Sequence, residues 1–185
     1  MRSTIGIHVM AAVLTACANP AQSSPPASVG DGPVQASTSG GGFTLTLLVE
    51  RGVVPADEPI EAVATLANET GAVATLSGSG SGVVFFSVTR REDGLGSGPP
   101  GMTSDCAPHP MPAGGSLEVP FAKSGGWSAD DPNAAFLRAY FADPELRLPP
   151  GTWRVEASTS ASIGDGCTGA QLELVAAVDV VVVGD

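Results

Sequence analysis

The chain has 185 residues, with 8 basic and 19 acidic side chains and a formal net charge of −11. Such a surface repels phosphate backbones and anionic headgroups, because nucleic-acid affinity comes largely from Lys and Arg neutralising phosphates. Nucleic acid is therefore excluded as a partner, and the plain reading of the acidity is solubility.

The first residues read as an export signal. Arg2 is a minimal positive start, Ile5 to Val13 form a short apolar run broken by Gly6 and His8, and Leu14-Thr15-Ala16-Cys17 closes it. A bilayer takes about 20 apolar residues to cross, so the run reads as a cleaved signal peptide over residues 1–16. The quartet resembles the lipobox of bacterial lipoproteins. That resemblance implies lipidation of the Cys17 sulfur, with palmitate-type acyl chains, and cleavage that leaves Cys17 first. The expected place is the extracytoplasmic face of a cell membrane, reached through the lipid anchor only. Two or three acyl chains hold firmly, at about 0.8 kcal/mol per buried methylene. Residues 1–16 contain one basic residue, Arg2, and no acidic one, so their loss takes the net charge from −11 to −12.

Residues 17–42 follow as a lipidated N-terminus and a linker. The stretch 18–42 is Pro, Ser, Gly and Ala with almost no large apolar group, which predicts a disordered stalk. Its 25 residues would reach roughly 25–30 Å as flexible chain.

Residues 43–185 suit one domain, and their dominant signal is period-two alternation between turn residues. Phe43, Leu45, Leu47 and Val49 share one face. Ile60, Ala62, Ala64 and Leu66 share another, before the turn Asn68-Glu69-Thr70-Gly71. Val73 to Leu76 is a short strand. Val84, Phe86 and Val88 alternate with Phe85, Ser87 and Thr89, and Leu117, Val119 and Phe121 come next. Trp153, Val155 and Ala157 follow the turn Pro149-Pro150-Gly151, and Leu172 to Val183 closes the chain as one Val-rich strand. One helix is predicted after Asp131-Pro132, which reads as an N-cap with Pro at the first helical position. Its apolar residues are Phe136, Leu137, Tyr140 and Phe141, and it ends at Asp143-Pro144. The expected fold is all-β: an Ig-like antiparallel β-sandwich of about seven strands with one short helix.

Two stretches, Leu66 to Val73 and Leu148-Pro149-Pro150-Gly151-Thr152-Trp153-Arg154-Val155, resemble Ig-type sandwiches of bacterial exported proteins. Among these are the intracellular-proteinase-inhibitor-like (BsuPI) domains, in which such a turn opens a late strand. The resemblance covers about a third of the domain. It implies a protein-binding role of the protease-inhibitor kind, with no inhibitory loop placed on this chain.

With Cys17 lipidated, Cys106 and Cys167 remain in an oxidising compartment, and one disulfide connectivity is possible. The alternative is two separate thiols. Asn68-Glu69-Thr70 matches the N-glycosylation pattern, but a turn is the plain reading in a bacterial chain. Phe85 beside Phe86 points either to an aromatic on a binding face or to burial on both sides of the strand.

Catalytic constellations are scarce. The mature chain has one histidine, His109, and no GxSxG motif, so a hydrolase would need a cleft around His109. The acidic pairs Asp57-Glu58, Asp130-Asp131 and Asp143/Glu145 read as solvated turns. Asp130-Asp131 with Asn133, or Asp165 with loop carbonyls, are calcium candidates without EF-hand spacing. Met102, His109 and Met111 surround Cys106 and are ligand types that suit Cu(I). His109-Pro110-Met111 in extended backbone would aim both side chains to one side. Fragments here resemble pieces of blue-copper proteins and periplasmic copper chaperones. This chain lacks the second upstream histidine of the former, and Ser87 stands where the latter want a methionine. The expectation is a non-enzymatic binding or accessory module with no cofactor, whose partner is a protein or envelope component. Its alternative is a copper-handling lipoprotein.

Overall fold

A computed structural model describes residues 30–184. The expected signal peptide over residues 1–16, Cys17 and residues 18–29 of the expected stalk lie outside the described residues. The strands are β1 (Val34–Gly40), β2 (Phe43–Val49), β3 (Val53–Pro55), β4 (Ala62–Asn68), β5 (Ala74–Gly78) and β6 (Val84–Arg90). After them come β7 (Ala107–Met111), β8 (Ser116–Pro120), the helix α1 (Ala134–Ala142), β9 (Gly151–Thr159), β10 (Ala161–Ile163), β11 (Ala170–Leu172) and β12 (Val175–Val183). They build three four-stranded sheets, ordered β1-β2-β4-β8, β3-β12-β9-β6 and β11-β10-β5-β7.

The first two sheets face each other across the core. Alternation puts Phe43, Leu45, Leu47 and Val49 of β2 inside at 0 % exposure, opposite Trp153, Val155 and Ala157 of β9, also at 0 %. Each large apolar side chain so placed contributes roughly 1.5–3 kcal/mol relative to exposure. β2, β4 and β8 occupy the A, B and E places of an Ig sandwich, and β6, β9 and β12 the C, F and G places. The all-β sandwich with one short helix is therefore the fold.

Several expectations need correction. The stalk does not extend to residue 42: Val34–Gly40 pairs along its whole length with β2. Gly41 and Gly42 are the two loop residues of this hairpin, with φ of 61° and 80°. Two consecutive left-handed residues make the tight turn whose twist matches its strands, and glycine adopts them without Cβ strain. A run that looked like linker is thus a strand plus a turn. The terminal apolar run is two strands, because the chain changes sheets at Glu173-Leu174. There the Thr159 hydroxyl accepts from the Leu174 amide at 2.8 Å, and the Thr159 amide donates to the Leu174 carbonyl at 2.9 Å. The sandwich is also not wholly antiparallel, since β3 runs parallel to β12. Val73 lies outside β5 and is 75 % exposed. Both Phe85 and Phe86 are buried, which removes the exposed-aromatic reading.

The helix starts later than its cap signal. Asn133 is the N-cap residue, and the Asp131 carboxylate accepts from the Asn133 amide at 2.8 Å, one turn ahead. The end at Asp143 is as expected. Leu137 and Tyr140 face inward, and Phe136 stacks between Tyr140 and Trp153 with centroids 5.6 and 5.5 Å away. The chain's one lysine, Lys123, covers the helix C-terminus. Its Nζ donates to the carbonyls of Tyr140, Asp143 and Glu145 at 2.6, 2.7 and 2.6 Å. A cation suits the negative end of the helix dipole.

Burial in this cluster raises the Tyr140 pKa above its ordinary value of 10.0. Above about pH 10 the unfolded chain loses this proton while the native chain keeps it, so stability falls as pH rises further. Tyr140 is the only tyrosine, so its ultraviolet titration is unambiguous. In native protein the phenolate signal should appear only together with unfolding. Tyr140→Phe should lessen the alkaline loss of stability, and a normal reversible titration near pH 10 in folded protein would contradict this account.

Candidate functional site

The third sheet carries the segment around Cys106. The Cys106 and Cys167 sulfurs are 2.11 Å apart with Cα atoms 5.9 Å apart, so the pair stands at disulfide distance. It joins the start of β7 to the loop between β10 and β11. β7 escaped sequence reading because Pro108 and Pro110 lack the amide a central strand needs; they are tolerated on this sheet edge.

Met102, His109 and Met111 do not form one site. His109 and Met111 share a face of β7, but Met111 is 4 % exposed and belongs to the hydrophobic core. The His109 Nε2 is 2.9 Å from the Ser79 carbonyl, which engages one ring nitrogen in holding the adjacent loop. Met102 is 52 % exposed and lines a different hollow, of about 220 Å³, with Ser77, Ser79, Asp105, Ser162 and Gln171. Several of its polar groups are engaged. Ser79 Oγ bonds the Ser81 and Thr103 hydroxyls, Ser77 Oγ donates to the Gly164 carbonyl, and Asp105 accepts from the Gly80 amide. The Ser77 and Ser79 hydroxyls brace this hollow.

Asn68 explains its own turn. It is 1 % exposed, and its amide nitrogen donates to the Ala72, Met111 and Pro112 carbonyls at 2.9, 3.2 and 2.9 Å. Its oxygen accepts from the Thr70 amide and hydroxyl at 3.1 and 2.7 Å. Asn68, read from the sequence as a turn residue, braces that turn from inside.

A second hollow, of about 290 Å³, lies between the loop after β6 and the loop leading into α1. Its lining includes Gly94, Gly96, Gly98 and Gly126, with Ser97, Asp131, Asn133 and Leu137. Arg90 sets the first loop with two bonds to Asp93 at 2.9 and 2.6 Å. That pair, with the Leu95 amide, lowers the Asp93 pKa to about 2, so the loop clamp stays ionised down to strong acid. Gly96 passes so close to β6 that a Cβ there would stand 2.4 Å from the Val88 carbonyl oxygen. Glycine is needed at that crossing. Trp127 follows Gly126 and is 38 % exposed, with the Arg138 guanidinium 4.9 Å from its ring centre.

The calcium candidates separate here. Asp130 and Asp165 are exposed loop residues, and one Asp131 oxygen serves the Asn133 amide. Among the described residues no three His, Cys, Asp or Glu side chains cluster to hold a metal. Sequence reading passed over Trp127. Its signal was its setting: an aromatic inside Gly125-Gly126-Trp127-Ser128 has no alternating neighbours and belongs to no strand face.

Fold and loops together define a class, an Ig-topology sandwich with a third sheet at its side and a polar hollow walled by loops. No protein-family model matches the chain, and no characterised protein sequence matches it either.

Proposed function

We propose that this chain is a non-catalytic binding module, tethered by lipid at Cys17 to the extracytoplasmic face of a membrane. The observation that carries the binding role is the partly exposed Trp127 indole, which follows Gly126 of the hollow's lining in sequence. Elsewhere His109 is engaged on a carbonyl, and Ser79 bonds the Ser81 and Thr103 hydroxyls. The lipobox quartet ending at Cys17 supports the tether, and the Cys106–Cys167 pairing suits an oxidising compartment. In the BsuPI-like alternative, protein binding is of the protease-inhibitor kind. It is supported by the turn before β9, where the Trp153 Nε1 donates to the Pro149 carbonyl at 2.8 Å.

The tether is tested by Cys17→Ser. The variant should lose metabolic palmitate labelling and leave the membrane fraction, and unchanged retention would overturn the claim. The binding role is tested by sedimentation of the purified chain with isolated cell envelopes. Trp127→Ala should lower the bound fraction. The copper alternative predicts that His109→Ala abolishes Cu(I) uptake against a competing chelator. With Met111 in the core, equal weak uptake by both proteins is the expected result.

A further inference from the structure

A separate surface lies at the free edge of β8. We propose that this edge takes an extended segment of a partner protein, one that alternates apolar residues about a central Lys or Arg. The contact is distinct from Trp127 and does not depend on it.

β8 pairs with β4 alone. The Phe121 amide donates to the Ala62 carbonyl, and the Asn68 amide donates to the Gly115 carbonyl, both at 2.9 Å. In an antiparallel pair alternate residues turn their backbone groups toward the partner. Gly115, Leu117, Val119 and Phe121 therefore bond toward β4, while Ser116 and Glu118 direct their amides and carbonyls outward. Among the described residues nothing bonds those outward groups. Pro120 shares their orientation and offers a carbonyl without an amide, which ends the donor row there.

The other sheet edges are blunted. β6 is covered by the loop that follows it, where the Ser97 amide donates to the Val88 carbonyl at 3.0 Å and the Arg90 amide to the Leu95 carbonyl at 2.7 Å. β7 carries Pro108 and Pro110, and β3 and β11 are three residues each. β1 leans on β12, whose Val175 carbonyl accepts from the Thr38 hydroxyl at 2.6 Å. Prolines, short strands and covering segments of this kind keep an edge from pairing.

Side chains define the strand that fits. Leu117 and Val119 stand opposite Leu66 and Ala64, which are fully buried, so both face the core side. Leu117 is nonetheless 37 % exposed, and Val119 lies half-buried at the margin of the core. Apolar residues of an incoming strand, in register with these two, would continue the inner face and cover it. On the outer face Glu118 stands opposite Thr65, is exposed, and has no ion pair among the described residues. A cation directly across from it is stabilising and a second carboxylate destabilising. That disfavours a second copy, because β8 paired antiparallel with itself about its centre sets Glu118 against Glu118. The complementary strand reads polar, apolar, basic, apolar, polar. In such strand addition main-chain bonds supply affinity and alternate side chains supply selectivity.

The test selects short displayed peptides, random at every position, on the full chain purified in detergent. Selected peptides should alternate apolar residues about a central Lys or Arg, and should slow hydrogen exchange at the Ser116 and Glu118 amides. Glu118→Pro removes the charge and one outward amide while sparing the bonds to β4, as Pro120 already does. It should weaken binding about ten-fold or more. Glu118→Lys should weaken the same peptides and accept their Glu counterparts, an exchange that a folding defect cannot produce. No peptide selected above background, or equal binding by wild type and Glu118→Pro, overturns the proposal. Binding lost in Trp127→Ala and kept in Glu118→Pro also overturns it, and leaves the binding module standing. Dimerisation of the peptide-free chain that Glu118→Pro abolishes would replace the partner by a second copy and overturn it too.

Discussion

Replacing Cys106 and Cys167 together by serine is expected to cost the domain about 4 kcal/mol. The pair closes a span of 61 residues, and in the chain-entropy account a cross-link of that span removes about this much freedom from the unfolded chain. The cost should be visible as a lower midpoint in urea, with the main sandwich still folded in its absence. The reason is where the cross-link sits. It ties β7 to the β10–β11 loop in the third sheet, while Trp153, Phe43 and Leu45 lie between the other two sheets. Hydrogen exchange should therefore quicken first in β7, β10 and β11. Thiol titration of the unreduced wild-type domain should find no free thiol. A double variant as stable as wild type would mean that the two cysteines constrain nothing.

Asn68→Ala is expected to cost about 3–4 kcal/mol. An unpartnered buried polar group costs about 1–3 kcal/mol, and this substitution strands two. The Met111 carbonyl loses the Asn68 donor and the Thr70 amide loses its acceptor, while the Ala72 and Pro112 carbonyls keep only the Thr70 hydroxyl and the Gly115 amide. The side chain is 1 % exposed, so water has no ready route to replace it. Asn68→Asp keeps the shape but carries an unpaired charge and lacks the donating amide, and should be at least as damaging. Because Asn68 links the end of β4 to the end of β7, its loss should also loosen the His109–Met111 strand. Urea unfolding of both variants is the measurement. A loss below about 1 kcal/mol for Asn68→Ala would mean that water or a shifted backbone replaces the bonds.

The sequence by itself determined the sandwich. Strict alternation in Phe43–Val49 and Trp153–Ala157 has one solution, a sheet with an inner and an outer face, and Leu137 and Tyr140 at helical spacing set the inward side of α1. The lone pair of cysteines left after Cys17 allowed a single partnership. These signals are local or combinatorial, so they survive without coordinates.

The tertiary structure decided the rest, for a physical reason common to each case. Val34–Gly40 is a strand because all seven of its residues lie in register against β2, although its own composition resembles linker. β7 contains two prolines and is still a strand because it sits on an edge beside β5, and β3, β10 and β11 are each three residues held by pairing and by one core residue apiece, Val54, Ala161 and Leu172. Asn68 read in sequence as a turn residue, and His109 and Met111 as candidate copper ligands. Their roles were settled by neighbours distant in the chain: carbonyls 43 and 44 residues away for Asn68, the Ser79 carbonyl 30 residues away for His109, and the core for Met111. Trp127 gained a partner in the same manner, from Arg138, whose guanidinium lies over its ring.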